Sequence, residues 1–223
     1  MKIDFLGIEL IADEDVFRPT LISQYCAENV PFADKDVLDL GCGIGPLAIY
    51  FKKNGANSVQ GCDVYKKHIE FAKKNAKKND VEVNIFLSNL YENVKNDFDV
   101  ICCDVSGVQS SVSEITGWFP SNVPKADSSG ANLILKAISG SKKHLRRNGE
   151  LYVCATSFSD LHLIERELSK NFENHWRTFF KTKIPFSKRL LKNVKSIEKK
   201  TYIKENDNYF WEFILFKAKN AVS

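Results

Sequence analysis

Val37-Leu38-Asp39-Leu40-Gly41-Cys42-Gly43-Ile44-Gly45-Pro46-Leu47-Ala48 is the stretch on which the fold turns. An apolar, β-favouring run passes straight into a helix start through three closely spaced glycines. Such a turn lets backbone approach a ligand without interference from Cβ atoms. A dinucleotide site places its glycines at positions one, three and six, so that a pyrophosphate rests on the helix N-terminus. Here they stand at one, three and five, and the sixth position is Pro46. Proline suits a first helical turn, where its missing N–H costs nothing.

Two acids follow the same logic. Asp39 sits two residues before the first glycine, where a carboxylate opposes a pyrophosphate but attracts an ammonium, directly or through water. Asp63 ends the next strand candidate, Val59-Gln60-Gly61-Cys62-Asp63, about twenty residues downstream, where a carboxylate accepts both hydroxyls of a ribose. A cationic nucleoside satisfies both, and S-adenosylmethionine is the ligand that combines them, with Asp39, Gly41, Gly43, Gly45 and Asp63 as its contacts. A plain strand-to-helix turn with solvated acids and a nicotinamide site are the competing readings.

Outward from this turn, short β-rich runs alternate with segments of helical period, which argues for a doubly wound α/β sheet, mostly parallel, with helices on both faces. Strand candidates are 36–42, 58–64, 81–88, 98–104 and 149–157, and helix candidates are 46–54, 66–79, 129–147 and 159–171. In the second helix Ile69, Ala72 and Ala76 share one stripe, with lysines largely outside it, as on a surface helix over a sheet. Aromatic, β-branched segments at 174–186 and 208–218 supply two more strands. The stretch 105–128 reads as one long irregular loop, of the kind that is usually a lid or binding loop.

With 223 residues and 43% apolar content, the chain supports one principal core: residues 1–30 form an N-terminal segment of short strands and a helix packed on a domain spanning 31–223. The sequence shows neither a signal-peptide succession nor an apolar run of bilayer length, so a cytoplasmic protein without membrane contact is expected. Five of the six cysteines lie in or beside apolar strand-like runs and read as reduced, buried thiols. The four histidines are scattered, and no metal site is expected.

The block from Val37 to Gly107 resembles the class I methyltransferase family, most specifically in Asp39-Leu40-Gly41-Cys42-Gly43-Ile44-Gly45. The resemblance implies a Rossmann-like seven-stranded sheet whose last strand is antiparallel and slots between its two predecessors; 174–186 and 208–218 suit that final hairpin. It also implies that Ser88-Asn89-Leu90 lies beside the adenine, with Asn89 or nearby backbone bonding the exocyclic amine. Asp15-Val16-Phe17-Arg18-Pro19-Thr20 and Asp127-Ser128-Ser129-Gly130-Ala131 resemble segments of the release-factor glutamine methyltransferases, and ribosomal-protein methyltransferases are similar too.

Those enzymes carry Asn-Pro-Pro-aromatic after the fourth strand, where this chain has Asp104-Val105-Ser106-Gly107. Asn-Pro-Pro accepts hydrogen bonds from a planar nitrogen. Asp104 instead suits a general base for a hydroxyl, amine or imidazole, or a group that orients a nitrogen; a structural capping acid and a magnesium ligand are the alternatives. Ser106, Trp118 and Phe17 are candidate substrate contacts, with core packing as the competing role for Trp118 and Phe17. Residues 181–204 carry nine Lys or Arg against Glu198, a net of +8 in a chain whose net is +4, leaving −4 elsewhere. If the hairpin is as expected, this segment borders the substrate cleft and favours an acidic partner; an ordinary helix with Leu190, Leu191, Val194 and Ile197 on its inner stripe is the plainer account. The expected function is methyl transfer to an N or O atom of a small molecule or protein, with an RNA methyltransferase and a catalytically inactive donor-binding scaffold as alternatives.

Overall fold

A computed structural model describes residues 1–120 and 127–221; Pro124, expected within the long loop, lies outside the described residues. The chain opens with an antiparallel pair, β1 (Lys2–Phe5) and β2 (Ile8–Ile11), followed by helix α1 (Leu21–Asn29). Thr20 and Ser23 close the start of α1 with a reciprocal capping box, satisfying amides that would otherwise lack partners. The main sheet then alternates as its sequence pattern dictates: β3 (Asp36–Leu40), α2 (Pro46–Lys53), β4 (Ser58–Asp63), α3 (Lys66–Lys78), β5 (Asn84–Leu87) and β6 (Phe98–Cys103). Beyond these come α4 (Ser110–Thr116), α5 (Asn132–Ser141), β7 (Leu145–Thr156), α6 (Leu161–Phe172), β8 (Trp176–Pro185), α7 (Lys188–Lys192), β9 (Ile203–Glu205) and β10 (Asn208–Lys219).

The sheet order is β5-β4-β3-β6-β7-β10-β8, with the short β9 paired to β10. Strands β5, β4, β3, β6 and β7 are parallel neighbours, and β10 lies antiparallel between β7 and β8. Seven strands stand where the resemblance implied them, and β9 is an eighth. Alternation along each strand feeds two cores. Val37, Val100 and Cys102 pack with Leu47, Phe51, Ile69 and Ala72 on the α2–α3 face, joined by Phe5, Ile8 and Leu10 of the first hairpin. Leu38, Leu40, Ile101 and Cys103 pack with Ile134, Ile138, Ile164 and Leu168 of α5 and α6 on the other. Burial of both faces explains why these strands read as continuous apolar runs.

Several expected boundaries move. The 105–128 loop contains α4, and the helix expected at 129–147 ends at Ser141, with β7 starting at Leu145. Its early residues are drawn into the sheet: Leu145 pairs with Phe98, and Arg146 bridges Asp36 at 2.7 Å and Asp99 at 2.9 Å. The strand expected at 81–88 covers only 84–87, because Asp80 turns at φ 54 and Val81 N–H still bonds back to Ala76 O. The helix expected through Ile197 is five residues of α7 followed by single 3₁₀ turns at 194–196 and 199–201.

Candidate active site

The strand order reverses at β3, whose neighbours are β4 on one side and β6 on the other. In open α/β sheets ligands bind outside the carboxyl ends of the strands at such a reversal. There the turns after β3, β4, β5 and β6 surround a cavity of about 770 Å³. Gly41, Gly43, Asp63, Asn89, Asp104, Ser106, Trp118 and Phe17 all line it. Asp39 and Gly45 are not among its lining residues, and Asp39 shares a small adjoining void with Pro19, Ser23 and Asp104.

The glycine turn has distinct demands at each position. Gly41 adopts φ 84, and a Cβ there would stand 2.8 Å from Val105 Cγ1. Gly43 also has positive φ, at 51, but faces open space, so backbone is presented to whatever occupies the cavity. Asp39 is fully buried; Oδ2 accepts the Ala48 N–H at 2.9 Å, and Oδ1 has no hydrogen-bond partner. Burial, reinforced by the charge of Asp104, pushes the Asp39 carboxyl up to about 8. Burial likewise raises Asp104 to about 6, opposed by the Ser23 hydroxyl, which donates to Asp104 Oδ2 at 2.9 Å.

Asp63 is nearly buried and already organised by protein donors. Oδ2 accepts Gly43 N–H at 3.0 Å, and Oδ1 accepts Tyr65 N–H at 2.9 Å. His68 Nδ1 is 3.1 Å from the same Oδ1, while His68 Nε2 accepts the Phe17 N–H at 3.1 Å. Because Nε2 accepts, the ring proton sits on Nδ1 and is donated to Asp63. Asn89 is exposed and donates to Glu92 Oε1 at 2.8 Å.

His68 and Ser23 are not among the residues that the sequence singles out. His68 stands one helical turn and a residue beyond Asp63, so its meeting with that acid is a local signal. Its contact with Phe17, and that of Ser23 with Asp104, span 51 and 81 residues and leave no local pattern.

The far side of the cavity is apolar. Phe17 packs on Phe119 with centroids 5.2 Å apart, and Trp118 on Trp211 at 5.5 Å. Leu21, Ile22, Leu133, Ile184, Pro185 and Leu190 complete this wall. Trp118 thus both anchors its loop to the core and lines the cavity. Its neighbour Gly117 ends α4 in the left-handed conformation, with the Arg189 guanidinium directly against it. Among the described residues, Ser106 Oγ is buried without a partner. Cys154 also lines the cavity, and its Sγ is 2.8 Å from that of Cys26; all six cysteines are buried and free.

The model of the methyltransferase small domain matches residues 19–104, a span running from the residue before the Thr20 cap to Asp104. That match covers the glycine turn and the strands around it, and the relatives it agrees with are named as methyltransferases. S-adenosylmethionine-dependent methyl transfer is the activity that the matched domain and these relatives support. The chain is 29% identical over 160 residues to a Methanocaldococcus jannaschii protein named "Putative protein N5-glutamine methyltransferase", covering 71% of this chain and 81% of that one. With the ribosomal protein L11 methyltransferase of Thermosipho melanesiensis it is 34% identical over 146 residues, 66% of this chain but only 45% of that protein. The methyltransferase fold is shared with the T. thermophilus 16S rRNA N2 G1207 methyltransferase, solved with AdoMet and guanosine, at TM-score 0.64 and 17% identity over 98% of this chain and 49% of that one. No described helix is long and apolar enough to cross a membrane.

Proposed function

We propose that this methyltransferase moves the methyl group of S-adenosylmethionine to an N or O atom held against Asp104. The observation that carries the reading is a buried carboxylate at the end of β6, where relatives of the glutamine-modifying type are expected to carry Asn-Pro-Pro. One of its oxygens is tied to Ser23, and the residue lines the cavity. The donor fits on two features of the turn: Gly43 faces open space, and the buried Asp39 Oδ1 lacks a partner, which suits an ammonium reached directly or through water. Asp63 accepts ribose hydroxyls at the lone pairs left by its backbone donors, and Asn89, with the backbone beside Leu90, borders the adenine.

The bound donor supplies an electrophilic methyl on a sulfonium. The chain supplies position and proton management: Asp104 orients the acceptor or takes its proton, and enclosure holds the reactants in line, where orientation alone is worth up to roughly 7–11 kcal/mol. A carboxyl raised to about 6 remains mostly ionised at neutral pH and is a stronger base than an ordinary aspartate. The reading places the protein in the cytoplasm, acting on a small molecule or a protein. A second reading, RNA methylation, draws support from the basic segment, whose Ser187 and Leu190 line the cavity, and from the fold shared with an rRNA methyltransferase.

Calorimetric titration with S-adenosylmethionine, S-adenosylhomocysteine and a nicotinamide dinucleotide tests the donor. Micromolar binding of the first two and none of the third is expected. Absence of any sulfonium or thioether nucleoside binding refutes the reading.

A further inference from the structure

We infer that the acceptor is a small aromatic molecule bearing an anionic group, its ring packed against the wall formed by Phe17, Phe119 and Trp118 and its charge directed to the basic rim at Lys188 and Lys192. The inference rests on the methyltransferase reading and specifies its second substrate.

Three independent features of the cavity point to that chemistry. The wall away from the glycine turn is aromatic and aliphatic, and Phe17 and Phe119 lie only 31° from parallel. Flat faces of this kind favour offset-stacked or edge-on rings over flexible aliphatic groups. Their setting is rigid: Trp118 is packed on both Trp211 and Phe158, and the Phe17 backbone is tied to His68.

Within this apolar enclosure stand two polar groups with spare capacity. Ser106 Oγ is buried with no partner, although its residue lines the cavity, and an unpaired buried hydroxyl costs free energy unless a ligand bonds it. On Asp104 the Ser23 hydroxyl engages Oδ2, which leaves Oδ1 to face an acceptor. A ring carrying a hydroxyl or N–H would satisfy both: the proton leaves the nucleophilic O or N for Asp104 as its electron pair forms the new bond to carbon. The carbon–sulfur bond breaks toward sulfur, giving the neutral thioether.

The third feature is the rim. Ser187, Leu190, Ile184 and Pro185 reach the cavity from the segment that also carries Lys188, Arg189, Lys192, Lys195 and Lys199, all exposed. Lys181, Lys183 and Lys200 in the same region are paired with Glu212, Glu205 and Glu198. Lys188 and Lys192 have no carboxylate within ion-pair distance among the described residues and stand one or two residues from the cavity-lining Ser187 and Leu190, where uncompensated positive charge raises the local concentration of anions. Asp104 is bordered by residues 17–22, 118–119 and 184–190, and the compact apolar wall they form suits a whole small molecule.

The test uses the full chain saturated with S-adenosylhomocysteine, titrated calorimetrically with 1-naphthyl phosphate, cyclohexyl phosphate and 1-naphthol. Binding of 1-naphthyl phosphate at least tenfold tighter than either control is expected, weakening as salt rises. Phe119→Ala should weaken it tenfold or more with S-adenosylhomocysteine affinity within twofold of the parent. Lys188→Glu with Lys192→Glu should weaken it and abolish most of the salt dependence. Equal binding of the aromatic and aliphatic phosphates, no binding of 1-naphthyl phosphate, or indifference to both variants overturns the proposal while leaving the methyltransferase reading intact. An RNA oligonucleotide or acidic peptide that displaces 1-naphthyl phosphate and is itself methylated also overturns it, in favour of a polymer substrate. Failure of S-adenosylhomocysteine itself to bind refutes the underlying reading and this proposal with it.

Discussion

Replacing Asp39 by asparagine should make the free protein more stable in mild alkali and flatten its pH profile. Asp39 is raised from 3.8 to about 8 by burial and by Asp104. An acid whose pKa is higher folded than unfolded binds its proton more tightly in the native state. Its stabilising effect is therefore complete below about pH 4 and is lost as pH rises through 8. One pKa unit corresponds to about 1.4 kcal/mol, so between pH 6 and 8 the Asp39 contribution falls by about 2 kcal/mol. Asp104, raised only to about 6, has by then lost most of its own. The asparagine amide keeps an oxygen for the Ala48 N–H but carries no titratable proton, so Asp39→Asn should lose only a few tenths of a kcal/mol over the same range. Urea unfolding at pH 6, 7 and 8, without nucleoside, measures both slopes. Parallel profiles would show that Asp39 is not a buried acid held neutral, and would remove the reason for expecting a cation beside it.

Asp104→Ala should abolish methyl transfer with donor affinity nearly unchanged, read by labelled-donor turnover beside calorimetry; a lasting rate would remove Asp104 from the chemistry. Asp63→Ala should weaken donor binding by at most a few kcal/mol and also cost stability of about 1–3 kcal/mol, because the Gly43 and Tyr65 amides and His68 lose their acceptor; calorimetry and urea unfolding separate the two effects. Gly140→Ala should destabilise by about 1–3 kcal/mol in the same unfolding assay, although alanine normally improves a helix interior, since a Cβ there would meet the Tyr91 ring at 2.6 Å.

How far the molecule could be read in advance depended on how local each determinant was. The turn 37–48 carries its own logic within a dozen residues, so β3, α2 and the glycine turn between them were legible. The alternation beyond it showed the parallel sheet. What stayed hidden relies on partners distant in the chain. The serine-rich run at 110–116 reads as loop by composition, yet folds as α4 with Val112, Ser113 and Thr116 buried and Val112 in the core cluster that Trp118 and Phe119 pack against. Lys142 to Arg147 continue a helical pattern in isolation, but Arg146 is claimed by the two acids at the foot of β3 and β6. For the site, Asp104 could be picked out by its place after a strand. Ser23 and His68 could not, since their value lies in contacts the sequence does not juxtapose.

The walls of the cavity come from two sources. The glycine turn, Asp63 and Asn89 lie between residues 39 and 90, in and beside the contiguous β3–β5 unit, whereas the opposite wall is assembled from Phe17 to Ile22, Trp118 to Phe119 and Ile184 to Leu190. None of those three stretches belongs to β3, β4 or β5. Under the proposed reading, acceptor preference can diverge, in natural descent or by grafting in the laboratory, through exchange of peripheral segments while the glycine-turn side stays fixed.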